Sequence, residues 1–558
     1  MKKIIILITF IILVLALGKN LNPFGRTMFD FHDETQAARV QQFSLNVRSL
    51  HIPPRMAPDF SFSMGYPIFN FYAPTAYWIT SSLNLVGFDV IAALKLSFLL
   101  AILTAAIGVY LFLSEFFEYE NALLGAALYV TSLYVAVDIF VRGNLSEVWF
   151  MALMPLALYV MTQKKYVKYP LPFVGAVIIV FLTLTSHNLL SLLFLPILCT
   201  YIFLQKNYRS LRFFAVLLAL FLGMYFFLPF FTESSLTYAS QVAKSTHYSD
   251  HFLCPIQLWQ SAWGFGGSAP GCDSDGISFK VGKPQLVIAI MGLLYLLISP
   301  VLTGVNKKNI QTTWFFACMA IGSLFLTTYA SRFLWDAAAP LAAVIQFPWR
   351  FIALSLIGLV YLAAFFTQQI RSFTYKSIMI SLFAALILLS LSKYFYKPGM
   401  DIKTYTSRYL SSRYIAEKVA FKVSEYLPRT ADYGKWKDAI VTGYNAPATS
   451  HIKGSFMNVA DTGFTKELKM KTNDLVALNI HYFPYWKLTR NNNAYIPKTF
   501  DSLGRPLMNV RKGDVIRAEF GQSRTEHIGN SISLATLCIL TAVAFYKPLW
   551  KKMSSLNT

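Results

Sequence analysis

The stretch VIAALKLSFLLAILTAAIGVYLFL (Val90–Leu113) has 24 residues and a single charged side chain. As a helix it extends about 36 Å, enough to cross the hydrocarbon core of a bilayer. Runs of the same character recur along the chain at 4–17, 90–113, 122–137, 148–161, 171–185, 189–204, 213–231, 286–302, 314–329, 351–367, 377–391 and 528–546. That makes about twelve predicted spans, so the fold expected is a polytopic α-helical membrane protein. Composition agrees. Of 558 residues, 55% are hydrophobic, 16% aromatic and 14% charged, against about 25% charged in soluble domains. A disordered chain and an ordinary soluble enzyme are thereby excluded.

Charge sets the expected orientation. The balance of 49 Lys+Arg over 27 Asp+Glu gives +22. In the short loops the cations fall in six clusters: Lys2 and Lys3; Lys164, Lys165 and Lys168; Lys206, Arg209 and Arg212; Lys307 and Lys308; Arg371 and Lys376; Lys547, Lys551 and Lys552. In the twelve-span count all six share one face, which the positive-inside rule makes cytoplasmic. Both termini are then cytoplasmic, and a bacterial inner membrane is the expected location. The acidic loop 115–121 is an exception on the same face, though acidic residues weigh little in this rule. A signal peptide at the first run is the alternative; removing it leaves an odd number of spans. The aromatic stretch GYPIFNFYAPTAYWITSSLNLVG at 65–87 carries Pro67 and Pro74. It reads as a juxtamembrane or partly inserted segment, because counting it as a span inverts every later loop.

Three sizeable pieces lie on the other face, at 19–87, 232–283 and 393–526. The expected organisation is a transmembrane domain over 1–395, an extracytoplasmic, mostly-β domain over 396–526, and a last span with a basic tail over 527–558. The β reading rests on period-two alternation in LVALNIHYF and in LMNVRKGDVIRAEF, where Lys512-Gly513 offers a hairpin turn. The basic exterior piece suits anionic lipid head groups or acidic polymers, or simply reflects a basic proteome. Nucleic acid is a poor partner, since the cations are scattered and extracytoplasmic. Cys199, Cys318 and Cys538 fall within spans. Only Cys254 and Cys272 share an exterior loop, where a disulfide suits an oxidising face and a metal pair is the weaker alternative.

Ionisable residues at span ends are costly to place, which makes them functional candidates. Asp33 and Glu34 lie in the first exterior loop, Arg142 and Glu147 flank VRGNLSE, His187 and Asn188 form the turn SHN, and Gln346, Trp349 and Arg350 open a span in QFPWR. All four groups fall at the exterior face. A carboxylate there can take the proton of an attacking hydroxyl while arginines hold a leaving phosphate. No nucleotide cradle is present, and an exterior site would not meet cytosolic nucleotide sugars, so a lipid-linked donor fits better. Each residue also has a plain structural role open to it: a helix-start acidic pair, an interspan Arg142–Glu147 salt bridge, a turn histidine, a snorkelling Arg350. HYSDH (247–251) and DSDG (273–276) look metal-like but lack a full ligand set, and the sequon at Asn144 sits tight against two spans.

The run HDETQAARVQQF, which begins at His32, and IPPRMAPDFSFSMGYPIFNFYAP together resemble the first exterior loop of GT-C superfamily glycosyltransferases. VRGNLSEVW, LTSHNLL, SFKVGKPQL, FPWRF and HYFPYWKL in that order resemble bacterial membrane proteins labelled 6-pyruvoyl-tetrahydropterin synthase-related, and their YfhO-like relatives. The resemblance implies a GT-C-like bundle and a glycosyltransferase dependent on a lipid-phosphate sugar. It carries Asp33 over as acceptor-activating base or metal-linked carboxylate, with Glu34 its neighbour, and Arg350 and then Arg142 as donor-phosphate ligands. A divalent metal is left open. The pterin label implies no pterin chemistry, because no zinc-binding histidine set is present.

The expectation is therefore an integral membrane transferase that moves a sugar from a polyprenyl-phosphate-linked donor to an envelope glycan, lipid or protein acceptor. The rivals are a carrier that flips lipid-linked glycans and a silent assembly factor. A carrier would line a path through the bundle with charge, and few ionisable residues sit mid-span.

Overall fold

The computed structural model describes residues 11–545 except 14, 206, 240, 242–245, 299–308, 371, 396, 440 and 442–445. Most of the first predicted span, and Lys2, Lys3, Lys206, Lys307, Lys308, Arg371, Lys547, Lys551 and Lys552, lie outside the described residues.

Asp89 caps the helix Val90–Leu113, its carboxylate accepting from Ile91 N at 2.9 Å and Ala92 N at 3.0 Å. This helix packs along Leu145–Thr162, and at Gly108 a side chain would press on Leu156. Lys283–Ile298, Ile310–Leu326 and Phe351–Gln369 close together where Gly292 meets the Leu362 carbonyl and Gly358 meets that of Phe316, leaving no room for a Cβ. Close backbone approach at small residues is how helices pack where lipid removes the hydrophobic drive between them.

Among the described residues, five helices are long and apolar enough to cross a membrane: Val90–Leu113, Tyr119–Arg142, Leu145–Thr162, Pro348–Gln369 and Arg524–Phe545. Pro170–Leu184, Asn188–Leu204, Lys283–Ile298 and Ile310–Leu326 are apolar but shorter. The expected count of about twelve is thus met only in part. The run expected to cross at 213–231 is not one straight span: Arg209–Leu222 and Met224–Leu236 meet at a 64° bend. Gly223 sits at the break, and Pro229 beyond it cannot donate to the Tyr225 carbonyl. That carbonyl instead accepts Arg55 Nη1 at 2.8 Å, while Tyr225 N donates to Ser533 Oγ at 2.8 Å. Residues 65–87 contain a single 3-10 turn, Ile68–Asn70, and an 11-residue helix, Thr75–Leu85, both too short to cross. The acidic loop 115–121 is partly neutralised by Lys376, which pairs with Glu118 at 3.4 Å and Glu120 at 3.3 Å.

The bend belongs to a buried polar joint. Arg55, 1% exposed, also donates to Asn70 Oδ1 at 3.3 Å and to Asn530 Oδ1 at 2.8 Å. Asn70 Nδ2 bridges Glu233 at 3.1 Å and Glu526 at 2.6 Å. Glu526 and Ser523 bond reciprocally at the start of Arg524–Phe545, a capping box. The first loop, residues 19–87, is thereby fastened to the last helix.

The piece over 393–526, expected to be exterior, differs from expectation in two ways. Residues 402–437 are not β but short helices, Ile402–Tyr409, Ser412–Glu417, Ala420–Tyr426 and Tyr433–Lys437. Strands follow in two antiparallel sheets. One has five strands in the order Phe456–Asp461, Thr465–Met470, Val515–Phe520, Trp486–Arg490, Asn493–Ala494; the other has three, Ala448–Ser450, Asp474–Leu478 and Leu507–Val510. The turn at Lys512-Gly513 closes no hairpin, because Leu507–Val510 and Val515–Phe520 belong to different sheets. Asp514 accepts from Arg511 N and Arg490 Nη2, and its carbonyl from Met470 N, which pulls the chain across. Met56 and Phe71 of the first loop enter the core of these sheets, and Thr27–Met28 pairs with Met400–Asp401. The first loop is thus held between the bundle and the exterior piece.

Candidate functional site

Backbone bonds bring the first loop onto the end of Tyr119–Arg142: His32 N donates to Val141 O at 2.7 Å and Asp33 N to Arg142 O at 2.8 Å. The His32 side chain is exposed. Asp33 accepts from Thr35 Oγ1 at 3.0 Å, Gln36 Nε2 at 2.6 Å and Arg39 Nη2 at 3.1 Å, yet remains 25% exposed. Its carboxylate is oriented on one side and open on the other. Arg39, in the first turn of the helix Gln36–Arg48 and 2% exposed, stacks over Tyr72 at 4.7 Å and donates to Tyr77 Oη at 3.3 Å. Burial lifts both phenols above their ordinary value, so they stay protonated.

Glu34 does not join Asp33. It turns to the 402–437 helices, accepting from Tyr414 Oη at 3.3 Å and pairing with Lys422 at 3.3 Å. The carboxylate whose field reaches Asp33 and Arg39 is Glu425, on the same helices and raised above its usual range by burial. The reason is local: successive side chains of a turn diverge, and the 402–437 segment folds over the loop from outside.

A second group forms around the ends of two spans. Arg142 pairs with Asp138 one turn earlier and with Glu147 Oε2 at 2.7 Å, both carboxylates being fully buried. Asn144 caps the following helix, its Oδ1 accepting from Glu147 N at 3.2 Å and its Nδ2 donating to Glu147 Oε2 at 3.1 Å. Tyr134 Oη donates to the other Glu147 oxygen at 2.6 Å. Arg142 therefore has two carboxylate partners. Its guanidinium also lies 4.6 Å from the Trp349 ring centroid.

Arg350 is different. It stacks on Phe347 at 4.8 Å and approaches Trp349 at 5.8 Å, and Nη1 donates weakly to Ile345 O at 3.3 Å. Its Nε is buried with no partner, and among the described residues no carboxylate lies within ion-pair distance. A guanidinium has five N–H donors, so most of its capacity is unspent. Glu147 acts on this group electrostatically without pairing with it.

The remaining expected residues are supporting. His187 caps Asn188–Leu204, its Nδ1 accepting from Leu190 N at 3.2 Å, and Asn188 Nδ2 donates to Phe71 O at 2.6 Å, docking the first loop on the SHN turn. Gln346 turns the chain with φ +61° before Pro348. Cys254 and Cys272 are joined by a disulfide. His247 bonds its neighbour Ser249, and Asp275 accepts from Ala269 N, so HYSDH and DSDG shape their loop. A divalent metal does not fit the Asp33 position, because that carboxylate already faces a guanidinium. Among the described residues no three His, Cys, Asp or Glu side chains are arranged to hold one. Sequence reasoning missed Arg39, Tyr72, Asp138 and Glu425; only the i,i+4 spacing of Asp138 and Arg142 carried a signal.

No curated protein matches the chain. Residues 69–269 match the profile of the 6-pyruvoyl-tetrahydropterin synthase related domain, membrane protein. Among solved structures, the mycobacterial arabinofuranosyltransferase AftD superposes with a TM-score of 0.44 at 13% identity, covering 71% of this chain and 27% of its own. The Archaeoglobus fulgidus oligosaccharyltransferase gives 0.36 at 14%, covering 72% and 54%. ArnT from Cupriavidus metallidurans, bound to undecaprenyl phosphate, gives 0.30 at 11%, covering 64% and 77%. The chain spans about a quarter of the length of AftD.

Proposed function

We propose that this protein transfers a sugar from a polyprenyl-phosphate-linked donor to an envelope glycan, lipid or protein acceptor at the extracytoplasmic face. The observation that supports the reading is the contrast between an oriented, partly open carboxylate at Asp33 and a buried guanidinium at Arg350 that forms no ion pair among the described residues.

Asp33 accepts the proton of an acceptor hydroxyl as its oxygen forms a bond to the anomeric carbon. The bond from that carbon to the phosphate oxygen breaks on the opposite face, with inversion, and the electron pair leaves on the polyprenyl phosphate. Arg350 stabilises the charge that develops there. Arg39 with Gln36 holds Asp33 in one orientation. Arg142, expected as a second phosphate ligand, is reassigned: bound to Asp138 and Glu147, it fixes the Trp349 ring beside Arg350.

The test is sugar transfer from a panel of polyprenyl-phosphate sugars by the purified protein, followed by mass spectrometry of lipids and envelope polymers. Asp33→Asn is expected to lower turnover about 10²–10⁴-fold. No turnover by the wild type, with movement of the lipid-linked glycan between leaflets, would replace the reading with the carrier.

A further inference from the structure

Strands from both β-sheets of the piece over 393–526 line a cavity of about 710 Å³, bounded by Asn473, Asp474, Arg490, Asn509, Val510 and Arg511. Arg490 ends a strand of the five-stranded sheet, whereas Asp474 and Val510 are partners in the three-stranded one. Arg490 ties the two together: Nη1 donates to Asn509 O at 3.2 Å and Nη2 to Asp514 Oδ2 at 2.5 Å. Arg511 follows in the connection between the sheets.

Main-chain bonds fix the polar groups here, and each keeps capacity to spare. Asn473 Oδ1 accepts from Lys512 N at 2.8 Å, which turns the amide so that Nδ2 remains a donor. Asp474 accepts from Leu475 N at 2.7 Å and from Ile452 N at 3.1 Å, one bond to each carboxylate oxygen; an ionised carboxylate has about four lone-pair sites. Desolvation opposes its charge, but bonds led by the Ile452 N–H hold it below the usual carboxylate range, so it only accepts. Arg490 is spent on Asp514 and the Asn509 carbonyl. Arg511 is not. Its backbone N donates to Asp514 at 2.7 Å, while its exposed guanidinium makes no ion pair or hydrogen bond among the described residues.

The cavity therefore offers an uncommitted cation, an amide donor and a permanent acceptor. A phosphate dianion would gain Arg511 but face the charge of Asp474, and a neutral glycan would leave Arg511 unused. A sugar bearing one carboxylate suits all three, because its carboxylate fits the guanidinium fork and its hydroxyls both donate and accept. We propose that this cavity binds an acidic saccharide, with Arg511 taking a uronic-acid carboxylate and Asn473 and Asp474 taking ring hydroxyls. The site involves neither Asp33 nor Arg350 and stands whether or not the transfer reading does.

The full-length protein in detergent is titrated calorimetrically with trigalacturonic acid, with neutral maltotriose and with inorganic phosphate. The uronate trimer is expected to bind about tenfold more tightly than either of the others, the scale of one charge-assisted hydrogen bond. Arg511→Gln is expected to remove that tenfold advantage, and Arg511→Lys, which keeps the charge without the fork, to lose only about threefold. The unfolding midpoint of Arg511→Gln is expected to equal that of the wild type, since this side chain holds nothing in place. Phosphate bound as tightly as the trimer makes the cavity a plain anion site, and maltotriose bound as tightly makes it a neutral-glycan site; either result overturns the proposal. So does failure of the trimer to bind, or a trimer affinity that Arg511→Gln leaves intact. A protein that binds the trimer but transfers no sugar sinks the transfer reading and leaves this one standing.

Discussion

Arg142 and Arg350 lie at neighbouring span ends and flank the same tryptophan, but they are chemically opposite. Arg142 meets two buried carboxylates, Asp138 and Glu147, while Arg350 meets aromatic faces and one carbonyl. A guanidinium saturated by carboxylates is part of the scaffold, since its donors and its charge are already used. One stacked on aromatic rings keeps its fork rigid and, forming no ion pair, keeps donors free for an anion such as a phosphate. The two residue names are equivalent in the sequence, and only their surroundings separate them.

The sharpest way to break this comparison is Glu147→Leu. Removing one partner from a buried pair costs about 3–5 kcal/mol, so thermal unfolding in detergent should show a marked drop; a change below about 1 kcal/mol would mean that Asp138 alone holds Arg142. Next in size is Arg350→Ala, expected to lower transfer about 10²–10³-fold, as loss of one charge-stabilising donor does, with the unfolding midpoint nearly unchanged. Equal losses of stability in both variants would erase the distinction.

A smaller effect concerns Lys397, whose Nζ donates to the Asp30 and Phe140 carbonyls and lies 3.4 Å from the Phe265 ring centroid. Burial pushes this lysine down to about 8. Between about pH 8 and the ordinary lysine value near 10.4, the unfolded chain binds more protons than the folded one, so stability is expected to rise with pH. Lys397→Met should flatten that rise; an unchanged slope would assign it to another group. Smallest is Lys376→Ala, which loses two half-exposed pairs with Glu118 and Glu120. It is expected to shift stability by less than about 1 kcal/mol, and a larger shift would place this end of the bundle on the same footing as the Arg142 end.

The apolar runs were legible because bilayer thickness sets a length that composition alone can meet. So was the gathering of His187, Arg142, Glu147 and Arg350 at one end of the bundle, since each closes or opens an apolar run. The pairing within that group was not legible. Whether Arg142 or Arg350 is spent depends on Asp138, which sits inside an apolar run and is reached only when the chain folds into a π turn at Asp138–Arg142. Glu34 was misread as the partner of Asp33 because its true contacts, Tyr414 and Lys422, come from a segment nearly 400 residues away. Period-two alternation found the strands of the exterior piece but not their sheets, because Asp514 redirects the chain in a turn that looks like a hairpin. Short helices at 402–437 carry too little periodicity to be told from loops.

The joint at Arg55 bears on the order of biogenesis. Its partners on the last helix, Asn530 for Arg55 and Glu526 for Asn70, are separated from them by 475 and 456 residues. During synthesis Arg55 is inserted long before these groups exist, so its charge stays hydrated until the final helix enters the bilayer. This fastening of the first loop therefore forms last, and a chain without its final helix leaves Arg55 and Asn70 each short of a partner.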